Sequence, residues 1–141
     1  MPYPQEYQVA NIKFHEFLDD VKKQADFVST HMTYSMVQGV LQVFRRRISL
    51  KEAIRFSNLL PAGLRAFFVA DWNPDEEQKN FTSREILLAE VQELRKDHNF
   101  SFLCNDAIKA VAFALRKHVD NEKLDKLLST FPAGAKEYWE V

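Results

Sequence analysis

The chain carries the stretch Leu60-Pro61-Ala62-Gly63-Leu64-Arg65-Ala66-Phe67-Phe68-Val69, and a near copy follows as Phe131-Pro132-Ala133-Gly134-Ala135-Lys136-Glu137-Tyr138-Trp139-Glu140. Matching positions lie 71 residues apart, and the same offset pairs Phe44 with Leu115 further upstream. One supersecondary unit used twice produces such self-similarity, and neither copy has many apolar residues to spare. We therefore expect two copies that bury their apolar faces against each other. The residues that define the repeat are Pro61, Gly63, Trp72, Pro132, Gly134 and Trp139.

Between these turns, apolar residues recur at the spacing of an amphipathic helix. Phe14, Phe17, Leu18 and Val21 follow an i, i+3, i+4, i+7 rule that places them on one helix face. No segment shows the sustained two-residue alternation of a strand. The sequence therefore predicts an all-α fold, a compact bundle of about eight helices built from two tandem pseudo-repeats of about four helices each. The other helical rows are Val37, Val40, Leu41 and Phe44; Leu87, Val91 and Leu94; and Ile108, Val111, Leu115 and Val119.

Cap signals and polar stretches divide the chain. Ser49 and Glu52 have the spacing of a capping box, and Asp120 is a candidate N-cap for a later helix. Pro61 and Pro132 are expected in the first turn of a helix, where a missing N–H has no cost. The predicted units are an N-terminal tail at 1–11, a first helical repeat at 12–72, a polar linker at 73–81 and a second repeat at 82–141, with the two repeats sharing one core.

The composition fits a small folded protein and excludes several classes. The chain has 141 residues, of which 46% are hydrophobic, so it can bury a core. With 19 basic and 20 acidic residues its formal net charge is -1, which argues against a generic polyanion binder. We expect neither a secretion signal nor a membrane span, since the apolar runs are short. The single cysteine, Cys104, excludes an internal disulfide and fits a reducing cytoplasm.

The two-copy pattern resembles a known family, the bacterial domain of unknown function 2267. The resemblance covers about residues 12 to 141, and its motifs are mostly core and turn residues. It implies a small, soluble, helical bacterial protein with no established activity, and it offers no catalytic residue to carry over. The chain departs from family members rich in Leu, Ala and Arg in having 12 phenylalanines. The motifs that carry the resemblance are the two Pro-Ala-Gly stretches, the step Asp71-Trp72-Asn73-Pro74 and the opening Phe14-His15-Glu16-Phe17-Leu18-Asp19-Asp20-Val21.

One short motif has the spacing of a metal site. His15-Glu16-Phe17-Leu18-Asp19 resembles the H-E-x-x-H zinc motif, with aspartate as the second ligand. On a helix, His15 and Asp19 share a face, but the apolar neighbours claim the buried side and no third ligand is evident. The simpler interpretation is an exposed His–Asp pair on the solvent face. We therefore predict no metal and no cofactor.

The remaining histidines and the cysteine offer no evident catalytic group. His31, His98 and His118 lack metal spacing, and the sequence supplies no orienting partner that would make one of them a general base. Cys104 is predicted near the start of a long helix, where a thiol can become reactive. Its neighbours are apolar, however, so we predict a buried structural thiol. No catalytic residue is assigned.

Two basic runs end the predicted long helices of the two copies. Arg45-Arg46-Arg47 and Arg116-Lys117-His118 occupy matching positions, where cations offset the negative end of the helix dipole. A second interpretation is that the duplicated basic ends converge on an anion or an acidic partner. The candidate contacts for such a site are Arg45, Arg46, Arg47, Arg116 and Lys117.

Three functions remain open. The sequence favours a non-enzymatic protein that acts by contact with another protein or with itself, for example as a homodimer. It shows no evident catalytic or metal-binding group, and its duplicated scaffold is apolar. The first alternative is binding of a small ligand or an anion, with or without catalysis, in a cleft between the repeats. The second is weak nucleic-acid contact through Arg45–Arg47, which the charge balance makes the least favoured of the three.

Overall fold

The computed structural model describes residues 4–25, 29–95 and 106–141 of the chain. Within these ranges it contains helices and no strand, which confirms the predicted all-α fold class. The predictions for His98 and Cys104 lie outside the described residues. None of the described helices is both long enough and apolar enough to cross a membrane. The helices are α1 (Gln5–Gln8), α2 (Ala10–Ala25), α3 (Thr30–Arg45), α4 (Leu50–Ser57), α5 (Ala62–Val69), α6 (Arg84–Arg95), α7 (Ala107–Lys117), α8 (Asn121–Leu128) and α9 (Ala135–Tyr138).

Two of the predicted helix caps are present. Ser49 Oγ accepts from the Glu52 amide at 3.2 Å, and Glu52 Oε1 accepts from the Ser49 amide at 2.8 Å. This pair is the predicted capping box at the start of α4. At the start of α8, Asp120 Oδ1 accepts from the Lys123 amide at 3.2 Å. Both caps satisfy amides that have no partner within their own helix.

The two Pro-Ala-Gly corners adopt different conformations. Pro61 is the N-cap residue of α5, outside the first helical turn in which the sequence places it. Pro132 likewise precedes α9, whose N-cap is Gly134 with a φ of 99°. Glycine tolerates this left-handed backbone, and its lack of a side chain lets Phe81 pack directly on it, where an added Cβ would lie 2.5 Å from the Phe81 Cβ. The duplication of one unit therefore stays a prediction.

The two halves of the chain interlock through their long helices. α2 of the first half packs against α7 of the second, and α6 of the second half packs against α3 of the first. The long helices α3 and α7 also contact each other. Because α2 covers α7 and α6 covers α3, the apolar faces of both halves enter one cluster.

An aromatic group joins the end of the chain to this core. Phe44 of α3 packs edge-on against Trp139, with ring centres 5.2 Å apart, and Trp139 stacks on Phe56 at 5.6 Å. The buried Tyr138 hydroxyl donates to the carbonyl of Val40 at 2.5 Å. Burial raises the pKa of Tyr138 well above its ordinary value, so the phenol stays a neutral donor. Tyr138 and Trp139 thus belong to the packed interior of the first half.

Two segments predicted to lie outside the helical repeats make specific contacts. The segment 1–11 contains α1 and the first two residues of α2, and Glu6 of α1 lies 3.5 Å from Arg65 Nη2 in α5. In the segment 73–81, Glu76 Oε1 lies 2.9 Å from Arg46 Nε. The Lys79 amide donates to the Arg46 carbonyl at 2.9 Å. The polar linker therefore packs against the end of α3.

A buried ion pair joins α3, α6 and this linker. Arg47 Nη1 lies 2.8 Å from Glu90 Oε2, and Arg47 Nη2 lies 2.9 Å from Glu90 Oε1. The side chains are 3% and 16% exposed, respectively. Arg47 also donates from Nε to the carbonyl of Asn80 at 3.0 Å and from Nη1 to that of Val43 at 2.9 Å. One guanidinium therefore ties together three parts of the chain by charge-assisted hydrogen bonds.

Neutralising Glu90 should destabilise the protein. Glu90→Gln leaves the buried Arg47 charge without its carboxylate, and we expect the free energy of unfolding at neutral pH to fall by about 2–3 kcal/mol. Urea unfolding followed by circular dichroism measures this. The control is Glu77→Gln, which neutralises an exposed carboxylate of the linker and should change stability by less than about 0.5 kcal/mol. Equal losses for the two variants would contradict the role assigned to the pair.

The same pair should make stability depend on pH in acid. Hydrogen bonds from Arg47 lower the pKa of Glu90, and the charge of Arg47 acts in the same direction while burial opposes both. The pKa of Glu90 is thus lower in the folded protein than in the unfolded chain. The stabilisation is complete at pH values above the unfolded pKa of about 4.3, and it is lost as the pH falls through the folded pKa. The difference in unfolding free energy between wild type and Glu90→Gln should therefore shrink when urea titrations are repeated in acid. A difference that stays constant would exclude this linkage.

Candidate functional site

The first basic run, at the end of α3, is turned towards the protein. Arg45 donates from Nη1 to the carbonyls of Phe68 and Ala70 at 2.8 and 2.9 Å, at the C-terminal end of α5. Its guanidinium carbon lies 5.6 Å from the ring centre of Trp72, and burial lowers the pKa of Arg45. Arg45 and Arg47 are both buried. Contacts to phosphate need exposed cations, so these two side chains act within the fold.

The second basic run makes a related contact. Arg116 donates from Nε to the carbonyl of Trp139 at 2.6 Å, and its Nη2 lies 2.8 Å from Asp125 Oδ1. The hydrogen bonds from Arg116 lower the pKa of Asp125. Lys117 is exposed, with its Nζ 5.1 Å from the ring centre of Phe113. Arg116, like Arg45, therefore binds the carbonyl end of a neighbouring helix, a contact that helix-dipole reasoning on its own helix does not predict.

The zinc-like motif of α2 faces solvent. His15 and Asp19 are both exposed, and Asp19 Oδ2 lies 3.6 Å from Lys23 Nζ. His31 is exposed at the start of α3. In the described parts of the chain, no three His, Cys, Asp or Glu side chains are placed to hold a metal ion together.

A cleft of about 470 Å³ lies between the two halves. We call it the inter-half cleft. One wall is formed by α1, the start of α2 and the turn before α5, and the other by the corner between α7 and α8. Its volume is within the range of small-molecule sites in proteins. Its lining includes Ala10, Lys13 and Ala62 from the first half and Lys117, His118 and Val119 from the second.

His118 in this wall is held by an aspartate from α2. The Nε2 atom of His118 lies 2.7 Å from Asp20 Oδ2, across the interface between the two halves. The side chains are 12% and 24% exposed, and the edge of the His118 ring faces Phe17 with ring centres 5.8 Å apart. A carboxylate on one ring nitrogen fixes the orientation of an imidazole. His118 therefore has the orienting partner that a general base or acid needs.

The acidic groups that line the cleft already have partners. Glu6 pairs with Arg65 at 3.5 Å, and Asp120 caps the start of α8. Lys13 lies 3.5 Å from Glu16, in a pair in which both side chains are about half exposed. Such an exposed pair contributes little stability, so its lysine can exchange partners at low cost. The carboxylates of the cleft thus already have partners within the protein, whereas its lysine is accessible to a ligand.

Asp20 is the residue of this site that sequence reasoning missed. It lies 98 residues before His118, and no spacing rule connects two residues so far apart in the chain. One weak signal exists, because Asp20 follows Phe17 by three residues and so borders the buried face of α2. Only the packing of α2 on α7 brings the two side chains together.

Comparison with models of protein families gives a match over most of the chain. The model of the family described as Uncharacterized conserved protein (DUF2267) matches residues 14–138. The match covers most of the chain and confirms the resemblance found in the sequence. No curated protein matches the chain.

The His118–Asp20 pair should show measurable energetic coupling. A double-mutant cycle with Asp20→Ala and His118→Ala should give a coupling of about 1–2 kcal/mol in the free energy of unfolding, because the hydrogen bond is short and largely shielded from water. Urea unfolding of the wild type, both single variants and the double variant provides the four values. The matched control is the exposed Lys23–Asp19 pair on the same helix, for which we expect less than about 0.5 kcal/mol. A His118–Asp20 coupling no larger than that of the control would contradict the assignment.

Proposed function

We propose that this chain, which belongs to the DUF2267 family of uncharacterized conserved proteins, binds a small organic molecule in the inter-half cleft. The observation that carries the proposal is the 2.7 Å contact between His118 Nε2 and Asp20 Oδ2 beside a cleft of about 470 Å³. A pocket with an apolar lining and a few oriented polar groups is the usual form of a ligand site.

The energetics of the pair favour a functional role over a purely structural one. If position 118 served packing alone, an apolar residue would be sufficient there. Removing a polar group from water has a free-energy cost that its hydrogen bond only offsets. His118 is instead mostly buried and still lines the cleft. Asp20 fixes the direction of the imidazole, so a ligand in the cleft meets a polar group of defined orientation.

The chemistry proposed here is reversible, non-covalent binding. A hydroxyl or a thiol next to a base would suggest covalent catalysis instead. The described residues that line the cleft carry neither group. Their side chains are apolar, acidic, basic or imidazole. We place this activity in the cytoplasm, since the single cysteine, Cys104, fits a reducing compartment.

Association with another protein or with itself stays a prediction. Its support is the pair Leu50 and Ile54, one turn apart on α4, which are 57% and 55% exposed. These two side chains suggest no particular partner, whereas the cleft has a defined volume and an oriented polar group. Nucleic-acid contact is supported less, because Arg45 and Arg47 are buried.

A fragment screen with a blocked-cleft variant tests the proposal. We expect small organic fragments to shift the amide resonances of Ala62 and Val119 in the wild-type protein. Ala62→Trp fills the cleft and should weaken this binding by at least about ten-fold, a difference of about 1.4 kcal/mol. The matched control is Ala66→Trp, because Ala66 is exposed one turn further along α5. Fragments that bind both variants equally, or that leave the cleft resonances unchanged, would contradict the proposal.

A further inference from the structure

We infer that the ligand of the inter-half cleft is a small organic carboxylate with an apolar body. This inference rests on the function proposed for the cleft and adds the chemical class of the molecule bound there. Three features of the lining lead to it: the engagement of its acidic groups, the accessibility of its lysines and the apolar character of the remaining surface.

The first feature is that the acidic side chains of the cleft are already engaged. Glu6 Oε2 lies 3.5 Å from Arg65 Nη2, which ties α1 to α5. Asp120 Oδ1 accepts a hydrogen bond from the Lys123 amide in the first turn of α8. The Glu6–Arg65 pair is partly exposed and can exchange partners as the Lys13–Glu16 pair can. The main obstacle to a cationic ligand is therefore the capping role of Asp120, whose helix amide the cation would have to replace.

The second feature is that the lysines of the cleft remain accessible. Lys117 is exposed and rests over the Phe113 ring, and no carboxylate of the described residues lies within ion-pair distance of its ammonium group. Within the described parts of the chain, the ion-pair partner of Lys13 is Glu16, and both side chains are about half exposed. Surface pairs of this kind contribute at most about 1 kcal/mol, so an incoming carboxylate is able to replace Glu16.

The third feature is an apolar surface between these charges. Six of the lining side chains are hydrocarbon only, and no arginine lines the cleft. Arginine is the residue suited to bidentate phosphate binding, whereas separate lysines act as single point charges. The lining therefore fits one carboxylate and a hydrocarbon body better than a phosphate. The six side chains are Val9, Ala10, Leu59, Pro61, Ala62 and Val119.

A series of four probes separates charge from shape. Octanoate, 1-octanol and octylammonium share one body and differ in head group, and inorganic phosphate supplies an anion without a body. We expect octanoate to shift the Ala62 and Val119 amides, with a dissociation constant at least about three-fold lower than that of 1-octanol. Octylammonium and phosphate should bind more weakly than both. Octanoate binding should also weaken as salt is raised.

Charge-removing variants test the lysine contact directly. Lys117→Gln should weaken octanoate binding about three- to five-fold and leave 1-octanol binding unchanged. The matched control is Lys126→Gln, because Lys126 is an exposed lysine of α8 that does not line the cleft. Urea unfolding of both variants shows that each is folded before binding is measured.

The outcomes separate this inference from the proposed function. If 1-octanol, octylammonium or phosphate binds at the cleft as tightly as octanoate, the carboxylate class is wrong while ligand binding at the cleft stands. An octanoate affinity that is equal in Lys117→Gln and in wild type also overturns the inference. If none of the four probes shifts the cleft amides and the fragment screen fails too, both the inference and the proposed function fall.

Discussion

The Arg47–Glu90 ion pair is the contact on which the arrangement of the two halves depends. It is largely removed from water, so its desolvation is offset only while both side chains keep their geometry. The same guanidinium binds the carbonyls of Val43 and Asn80, and so fixes the end of α3, the linker and α6 together. With α6 set against α3, the first helix of the second half covers the long helix of the first. The packing of α2 on α7 completes the interlocked core.

The three arginines of one short run have three different environments. Arg45 binds the carbonyl end of α5, Arg46 lies between Glu76 of the linker and Glu90, and Arg47 binds both oxygens of Glu90. A charged run at a helix end is thus not a single surface feature, because only Arg45 belongs to α3 and the next two arginines lie in the turn after it. Arg116 repeats the contact of Arg45 on the carbonyl of a neighbouring helix end. A basic run in a balanced sequence is therefore weak evidence for nucleic-acid binding.

The cleft exists because the interlocking leaves one seam open. α2 packs on α7 along its buried face, and where α7 ends its C-terminal corner faces the start of α2 and the turn before α5. Polar groups collect at this seam, since helix ends bring unpaired amides and carbonyls to one place. His118 follows the last residue of α7 and meets Asp20 there. The site therefore forms where the two halves of the chain meet.

The sequence by itself determined the all-α class, the capping box at Ser49 and the cap at Asp120, because helical period and capping depend on residues within one turn of each other. It also indicated the family. Only the tertiary structure decided that Asp20 faces His118, that Glu90 meets Arg47 and that Gly134 takes a left-handed φ. These features join residues far apart in the chain, or depend on a neighbour such as Phe81 that packs from elsewhere. Local spacing rules hold no information about such contacts.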